Sequence, residues 1–308
     1  MNQRHAKGLK HLLIEKTVQT SSALIRRLPI RRKIPGAFIK LSLCFRDYHF
    51  DFAFRCPRIN VTWSAAGFPD LLTRHILFGG LYQEDVLVSL CHVIRKGDVI
   101  FDVGGHHGLM AIVSAMATGR TGKVVTFEPN PHARAYIEKH LLLNRAPDVS
   151  DVVIESVALS SQKGESLFYI QSGEMTWNST ILKEFAPSET SISVTTTTMD
   201  DYVSRTGLIP RVIKIDTEGS DFMVLQGARE TLIKHKPVLI VEFNPISAQA
   251  AGVTLSEYIK FLEKLGYELA VLKRSFLGRY KFNEQEPFCE ARHTAANGLA
   301  NVVCIPTH

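Results

Sequence analysis

The sequence predicts an α/β fold with a doubly wound, mostly parallel, seven-stranded sheet, and three observations predict it. From Val99 onward, short apolar runs alternate with amphipathic helical stretches. Those runs are continuously apolar, as strands buried on both faces are, rather than alternating. The first of them passes directly into a glycine-rich turn, Gly104–Gly105–His106–His107–Gly108, which opens a helix. Strand–helix alternation of this kind closes a sheet with helices on both faces and places ligands beyond the carboxyl ends of the strands.

Taken in order, residues 1–40 form a basic N-terminal arm, 41–97 an N-terminal cap region of strands and helix, and 98–308 the main domain. The arm carries ten Lys/Arg against one acid, a charge of +9, whereas the remainder carries 26 against 29, or −3. Its leucines recur at loose helical spacing among the basic residues, which admits an amphipathic helix resting on anionic lipid. It equally admits a solvated arm or a helix docked on its own domain. In the cap, residues 41–62 are rich in Phe and β-branched types and read as one or two strands. Residues 68–95 read as helical from apolar residues three and four apart.

Within the main domain, Val99–Val103, Lys123–Phe127 and Val152–Ala158 are expected as strands. His107–Thr118 and Pro131–Leu142 are the helices between them. A polar insertion follows, with strand-like Ser166–Ile170 and Ser193–Thr198. Val212–Ile215 and Val238–Phe243 continue the sheet, with helices over Phe222–Ile233 and Leu255–Leu265. Glu268–Leu272 and Asn301–Ile305 close it, separated by a long polar loop.

A hydrophobic content of 45% with 21% charged residues suits a globular chain with a sizeable core. Five cysteines (Cys44, Cys56, Cys91, Cys289, Cys304), odd in number and without a C-x-x-C pair, argue against a disulfide framework or a structural zinc site. No apolar stretch reaches the length of a membrane span, and no continuous apolar segment follows the basic N-terminus. The expected location is the cytoplasm, with peripheral membrane contact through the arm as the second reading.

The loop Asp102–Gly108 carries the first chemistry. Gly104 and Gly105 admit backbone torsions and close approach that a Cβ would obstruct. The helix end after Gly108 offers unpaired N–H groups and a partial positive charge, which suit a carboxylate such as that of S-adenosylmethionine. Glu128 ends the next strand, where an acid accepts hydrogen bonds from both ribose hydroxyls of a nucleotide. The competing reading of Glu128 is a cap for the helix after Pro129. The glycines do not make the G-x-G-x-x-G of a dinucleotide site, because His106 stands third, and no Gly-Lys-Ser/Thr follows as in a phosphate-binding P-loop.

Further along, Lys214–Ile215–Asp216–Thr217–Glu218–Gly219, Val224–Leu225–Gln226–Gly227–Ala228 and Pro237–Val238–Leu239–Ile240–Val241–Glu242 occur in that order. Thr198–Met199–Asp200–Asp201–Tyr202 precedes them. Over roughly residues 80–245 these motifs resemble the FkbM-type methyltransferases, with their K-I-D-x-E-G, V-L-x-G-A, P-x-x-x-x-E and L-D-D-Y segments. Ala158–Leu159–Ser160, Gly164 and Asn178–Ser179–Thr180 fall where that resemblance expects them. The resemblance implies a class I, Rossmann-like fold, S-adenosylmethionine as cofactor, and a hydroxyl acceptor on a sugar, glycan, glycolipid or secondary metabolite. It departs in the loop, where the family's D-V-G-A-N-x-G has Gly105 for Ala and His106 for Asn.

The cofactor residues expected are therefore Asp102, Gly104, Gly105, His106, Gly108, Glu128, Ala158 and Leu159. Asp216 is expected near the methyl-transfer centre as base or orienting group. Glu218 is placed at the substrate or holding the loop, and Glu242 completes a carboxylate cluster. The bland alternative is that these acids cap helices and pair with Lys214 or arginines. Three carboxylates also present the hard oxygens that magnesium takes, but no spacing selects a metal, and none is assigned. His106 and His107 have the chemistry of a neutral-pH base, yet their position favours packing or cofactor contact. Trp177 and Tyr82 suit stacking on adenine, lining the acceptor pocket, or the core. No nucleic-acid partner is expected, since the arm lacks aromatic interleaving and a reading module. Two other functions stay open: N-methylation on the same platform, and a cofactor-binding but catalytically silent subunit of a glycan-assembly complex.

Overall fold

A computed structural model describes residues 49–57, 59–66, 71–74, 76–77, 82–171, 179–183, 190–274, 280–294 and 298–307. The basic arm and Trp177 lie outside the described residues. The chain divides into two compact units, one spanning 1–84 with 173–175, the other 85–172 with 176–308. In the smaller unit, β1 (His49–Cys56) and β2 (Ile59–Ala66) form an antiparallel hairpin in continuous register. Phe52, Phe54, Val61 and Trp63 are buried, and the Trp63 indole donates to Thr73 Oγ1 at 3.1 Å in the short helix α1 (Leu71–Arg74).

The larger unit contains almost all of α2 (Glu84–Val93). It then winds through β3 (Val99–Val103), α3 (Leu109–Thr118), β4 (Lys123–Phe127), α4 (Pro131–Leu143) and β5 (Val152–Glu155). The excursion β6 (Ala158–Leu159), β7 (Gly164–Tyr169) and β8 (Ser191–Thr197) makes a separate three-stranded sheet, and α5 (Met199–Thr206) leads back. Next come β9 (Val212–Ile215), α6 (Asp221–Gln226), α7 (Arg229–His235), β10 (Val238–Phe243), α8 (Pro245–Ala250) and α9 (Leu255–Lys264). The chain ends through β11 (Tyr267–Arg274), β12 (Tyr280–Pro287), α10 (Glu290–His293) and β13 (Ala300–Pro306).

The main sheet runs β12-β11-β13-β10-β9-β3-β4-β5. Its five strands from β10 to β5 pair in parallel, while β13, β11 and β12 are antiparallel. The α/β, doubly wound, mostly parallel architecture is thus present. An eighth strand, β12, occupies what reads in the sequence as polar loop. Its residues are all exposed or half-buried, as in an edge strand with a wet face.

Two other expected elements divide. The run 152–158 leaves the main sheet after Glu155, whose carbonyl accepts the Glu128 N–H at 2.9 Å, and Ala158 then pairs with Thr196 in the small sheet. The expected helix 222–233 breaks at Gly227–Ala228. A Cβ on Gly227 would lie 2.0 Å from the Ser160 carbonyl oxygen, so the backbones meet there closely. The Asp200 carboxylate then accepts the N–H groups of Glu230 (3.0 Å) and Thr231 (2.8 Å), plus the Thr231 hydroxyl (2.6 Å). An acid from α5 thereby satisfies orphan donors at the start of α7, and two short helices are as complete as one long one.

The central strands are buried on both faces, and on one of them Phe101, Phe127 and Tyr202 meet edge to face with ring centroids 4.9–5.6 Å apart. Cys56 and Cys304 are buried free thiols, consistent with small apolar residues, whereas Cys289 is exposed. Among the described residues no helix is long and apolar enough to cross a membrane.

Candidate active site

The strand order reverses at β3. The chain runs outward from it through β4 to β5, then returns to place β9 on its other side. Such a switch point opens a crevice at the carboxyl ends of the two strands, and ligands of doubly wound sheets bind there. Asp102, Gly104, Gly105, His106, Gly108 and Asp216 stand at or just beyond the carboxyl ends of these two strands.

One row across the sheet is polar. Thr126 of β4, Asp102 of β3 and Lys214 of β9 are register partners, so their side chains share one face. The Thr126 hydroxyl donates to Asp102 Oδ2 at 3.2 Å, and Lys214 Nζ stands 3.4 Å from Asp102 Oδ1. All three are buried. Lys214 also donates to the Gly104 carbonyl at 2.8 Å and lies 3.7 Å from Asp216 Oδ2. Burial alone would discharge this ammonium, but Asp216 and Asp102 hold its pKa above the ordinary lysine value. Asp102 feels the reverse balance, with burial raising its carboxyl despite the Lys214 charge.

The loop after β3 is set by its backbone. Gly104 (φ 82) cannot carry a Cβ, which would lie 1.9 Å from the Asp216 carbonyl oxygen, and a Cβ on Gly105 would lie 2.1 Å from Thr126 Oγ1. The close approach of Gly104 to Asp216 is what joins the two strand ends at the crevice. Gly108 is the N-cap of α3 and supplies no side-chain cap, and the first turn of α3 carries no acid. Leu109 and Met110 are buried there, and the N-cap residue itself satisfies none of the orphan donors of the first turn.

Glu128 follows β4 and is buried. Its Oε2 accepts the His106 N–H at 2.7 Å and its Oε1 the Asn130 N–H at 2.9 Å. Burial pushes its carboxyl up to about 7, against those two bonds. The acid therefore both fixes the loop and braces the entry to α4, whose cap is Asn130 accepting from the His132 N–H. Each carboxylate oxygen retains a second lone pair for a ligand hydroxyl.

His106 adopts a positive φ of 47 and stacks on His107 with ring centroids 4.0 Å apart. His107 in turn packs on Tyr136, and its carbonyl bonds the His140 ring at 2.8 Å. Burial, then the neighbouring His107 and Lys214, hold the His106 imidazole well below its usual pKa. It is a neutral, packed ring. Ala158 and Leu159 are buried in β6, with Leu159 in the main core and Ala158 against Phe168 and Val194, so only their backbones are left for a ligand.

On the far side of the crevice lie the carboxyls. Asp216 is two residues beyond Lys214, and Glu242 two beyond Ile240, the register partner of Lys214. Residues two apart share a face of a strand, which brings Lys214, Asp216 and Glu242 together. Glu218 sits at φ 51 in the turn after β9. Burial, then Asp216 and Asp221, push Glu218 up to about 9, and burial with the same acids raises Glu242 well above its ordinary value. Asp221, unremarked in the sequence, holds the turn. Its carboxylate accepts the Thr217 N–H (2.8 Å) and hydroxyl (3.1 Å) and the Gly219 N–H (3.3 Å). Among the described residues no three His, Cys, Asp or Glu side chains are grouped to hold a metal ion. Sequence reasoning missed Lys214 and Asp221 as site residues. A lysine inside a continuously apolar strand was the available signal for the first.

The sheet order and this bipartite edge define a class I methyltransferase fold. Residues 102–269, more than half of the chain, match the Methyltransferase FkbM domain, and the chain belongs to that family. It is 29% identical over 196 residues to the hexuronic acid methyltransferase AglP of Haloferax volcanii, covering 62% of this chain and 73% of that one. Among solved structures, methyltransferase FkbM from Methylobacillus flagellatus KT aligns with a TM-score of 0.38 at 14% identity. That alignment covers 77% of this chain and 55% of the other. An S-adenosylmethionine-dependent O-methyltransferase from Thermotoga maritima aligns at 0.38 and 15%, covering 74% and 66%.

Proposed function

We propose that this methyltransferase moves a methyl group from S-adenosylmethionine to a sugar hydroxyl, on a glycan, glycolipid or sugar-bearing secondary metabolite. The observation that carries the reading is the meeting, at one switch point, of two chemically unlike halves. The Glu128 side presents a buried acid and an uncapped helix end, and the Asp216 side presents a carboxyl cluster. The first half fits the cofactor. The opening of α3 suits its carboxylate, Glu128 its ribose hydroxyls, and the backbone of Ala158 and Leu159 its base.

When bound, S-adenosylmethionine supplies a methyl group activated by a sulfonium. The protein's part is alignment and removal of the hydroxyl proton. Burial and the neighbouring acids favour the protonated forms of Glu218 and Glu242, which would donate hydrogen bonds to an acceptor. Asp216, beside the Lys214 ammonium, would take up the proton that the acceptor hydroxyl gives up. A base so placed contributes roughly 100- to 10,000-fold. The sugar class of acceptor is supported by the hexuronic acid activity of the Haloferax relative and by the carboxyl cluster, which suits hydroxyl-rich ligands.

The test is incubation of the full-length protein with methyl-labelled S-adenosylmethionine and a panel of mono- and oligosaccharides. Label in a base-stable O-methyl sugar supports the reading. Tight cofactor binding with no label in any acceptor would favour the silent subunit, and label in an amine would favour N-methylation. Membrane attachment through the arm, the remaining partner expectation, is checked by vesicle sedimentation with and without residues 1–40.

A further inference from the structure

We infer that Lys214 is a positioning residue that couples the two halves of the site, so that the cofactor loop and the acceptor-side acid act through one ammonium. The inference rests on the cofactor reading above and goes beyond it by assigning a linkage between the halves.

The geometry is unusual for a lysine. Lysine is almost never buried without partners, yet Lys214 is 4% exposed in a strand whose other residues are apolar. An ammonium has three donors, and this one donates to two main-chain carbonyls while standing within ion-pair distance of two acids. Gly104 O lies at 2.8 Å, Val103 O at 3.4 Å, Asp102 Oδ1 at 3.4 Å and Asp216 Oδ2 at 3.7 Å. Two of these are main-chain carbonyls at the start of the cofactor loop. The third is the acid at the end of β3, fixed from its other side by Thr126. The fourth is the acid assigned to the hydroxyl proton.

The ammonium is thus held by hydrogen bonds to the loop on one side and by the charges of Asp102 and Asp216 on the other. Any change that strengthens its hold on Asp216 weakens its hold on Gly104, and the reverse. A carbonyl left unpaired in a buried place is costly, so the loop conformation depends on the charge across the crevice. The other titratable groups facing Lys214 are Glu218 and Asp221 in the turn and α6, Glu242 on β10, and Glu128 and His106 on the loop side. Asp216, Asp102 and Asp221 favour its charge, while the His106 imidazole, held well below its usual pKa, adds none.

The test is calorimetric titration of the full-length protein with S-adenosylhomocysteine, combined with thermal unfolding. Lys214→Met, which keeps the length and removes the donors, is expected to weaken binding at least tenfold while the protein still unfolds cooperatively. The coupling itself is read from a cycle. The factor by which Asp216→Asn changes affinity should differ at least threefold between the wild-type background and the Lys214→Met background. If Lys214→Met does not fold, Lys214→Arg takes its place in the cycle, since a guanidinium keeps the charge but not the donor position of an ammonium. Wild-type affinity in a folded Lys214→Met protein, or equal Asp216→Asn factors in both backgrounds, overturns the inference alone. Absence of binding by the wild type overturns the cofactor reading and the inference together.

Discussion

Two acidic segments of similar composition stand a dozen residues apart, and they are used in opposite ways. In Thr198–Tyr202 every polar side chain is consumed by the scaffold. Thr198 caps α5 by accepting the Asp201 N–H at 3.1 Å, and Asp200 braces α7. Asp201 pairs with Lys163, and the Tyr202 hydroxyl donates to Glu155 at 2.9 Å. In Lys214–Gly219 the carboxyls crowd together instead. Burial and the charge of Asp216 raise the cost of ionising Glu218, Asp221 and Glu242, with Lys214 as the cation buried among them. Satisfied acids stabilise a fold. Acids whose pKa values are lifted by burial and by a neighbouring charge are held at an energetic disadvantage that a bound ligand can relieve. The comparison teaches that a motif's place in a family does not say which of these two jobs its residues perform.

The largest expected effect breaks the second segment. Asp216→Asn should lower methyl transfer roughly 100- to 10,000-fold, read from initial rates, with little change in thermal unfolding. Next comes pH. The Glu218 carboxyl rises from an ordinary 4.5 to about 9 on folding. Its raised pKa means that the stability it contributes is complete below its unfolded value and is lost as pH rises through the folded one. Glu218→Gln should therefore flatten the fall in stability between about pH 5 and pH 9, measured by urea unfolding across that range. A wild-type slope retained in the variant would contradict the assignment.

Two smaller effects sharpen the first segment. Gly227→Ala should cost about 3 kcal/mol, because the new methyl meets the Ser160 backbone rather than a movable side chain. Asp200→Ala should cost about 2 kcal/mol through the lost bonds at α7. Both are read from denaturant midpoints, and in both the affinity for S-adenosylhomocysteine should stay at the wild-type value.

How much of this was legible in the sequence follows from range. The parallel strands were plain because each is a continuous apolar run, and Val212–Ile215 and Val238–Phe243 stand where the run stands. The glycine loop and Glu128 were legible because their spacing is local. The break at Gly227 was not, since its cause is a contact with Ser160 far back in the chain and a cap supplied by Asp200. β12 was hidden because a half-wet edge strand such as Tyr280–Pro287 has the composition of a loop. Lys214 was legible only as a pairing partner of the acids, because lysines normally face water, whereas its burial beside Asp102 places it within the site.

The most direct test sets the two segments side by side, with methyl-transfer rate and unfolding midpoint measured on the same preparations of Asp216→Asn and Asp200→Ala. The account predicts that Asp216→Asn loses transfer and keeps its midpoint, while Asp200→Ala loses stability and keeps its rate well below its melting temperature. Transfer at the wild-type rate by a folded Asp216→Asn protein would contradict it.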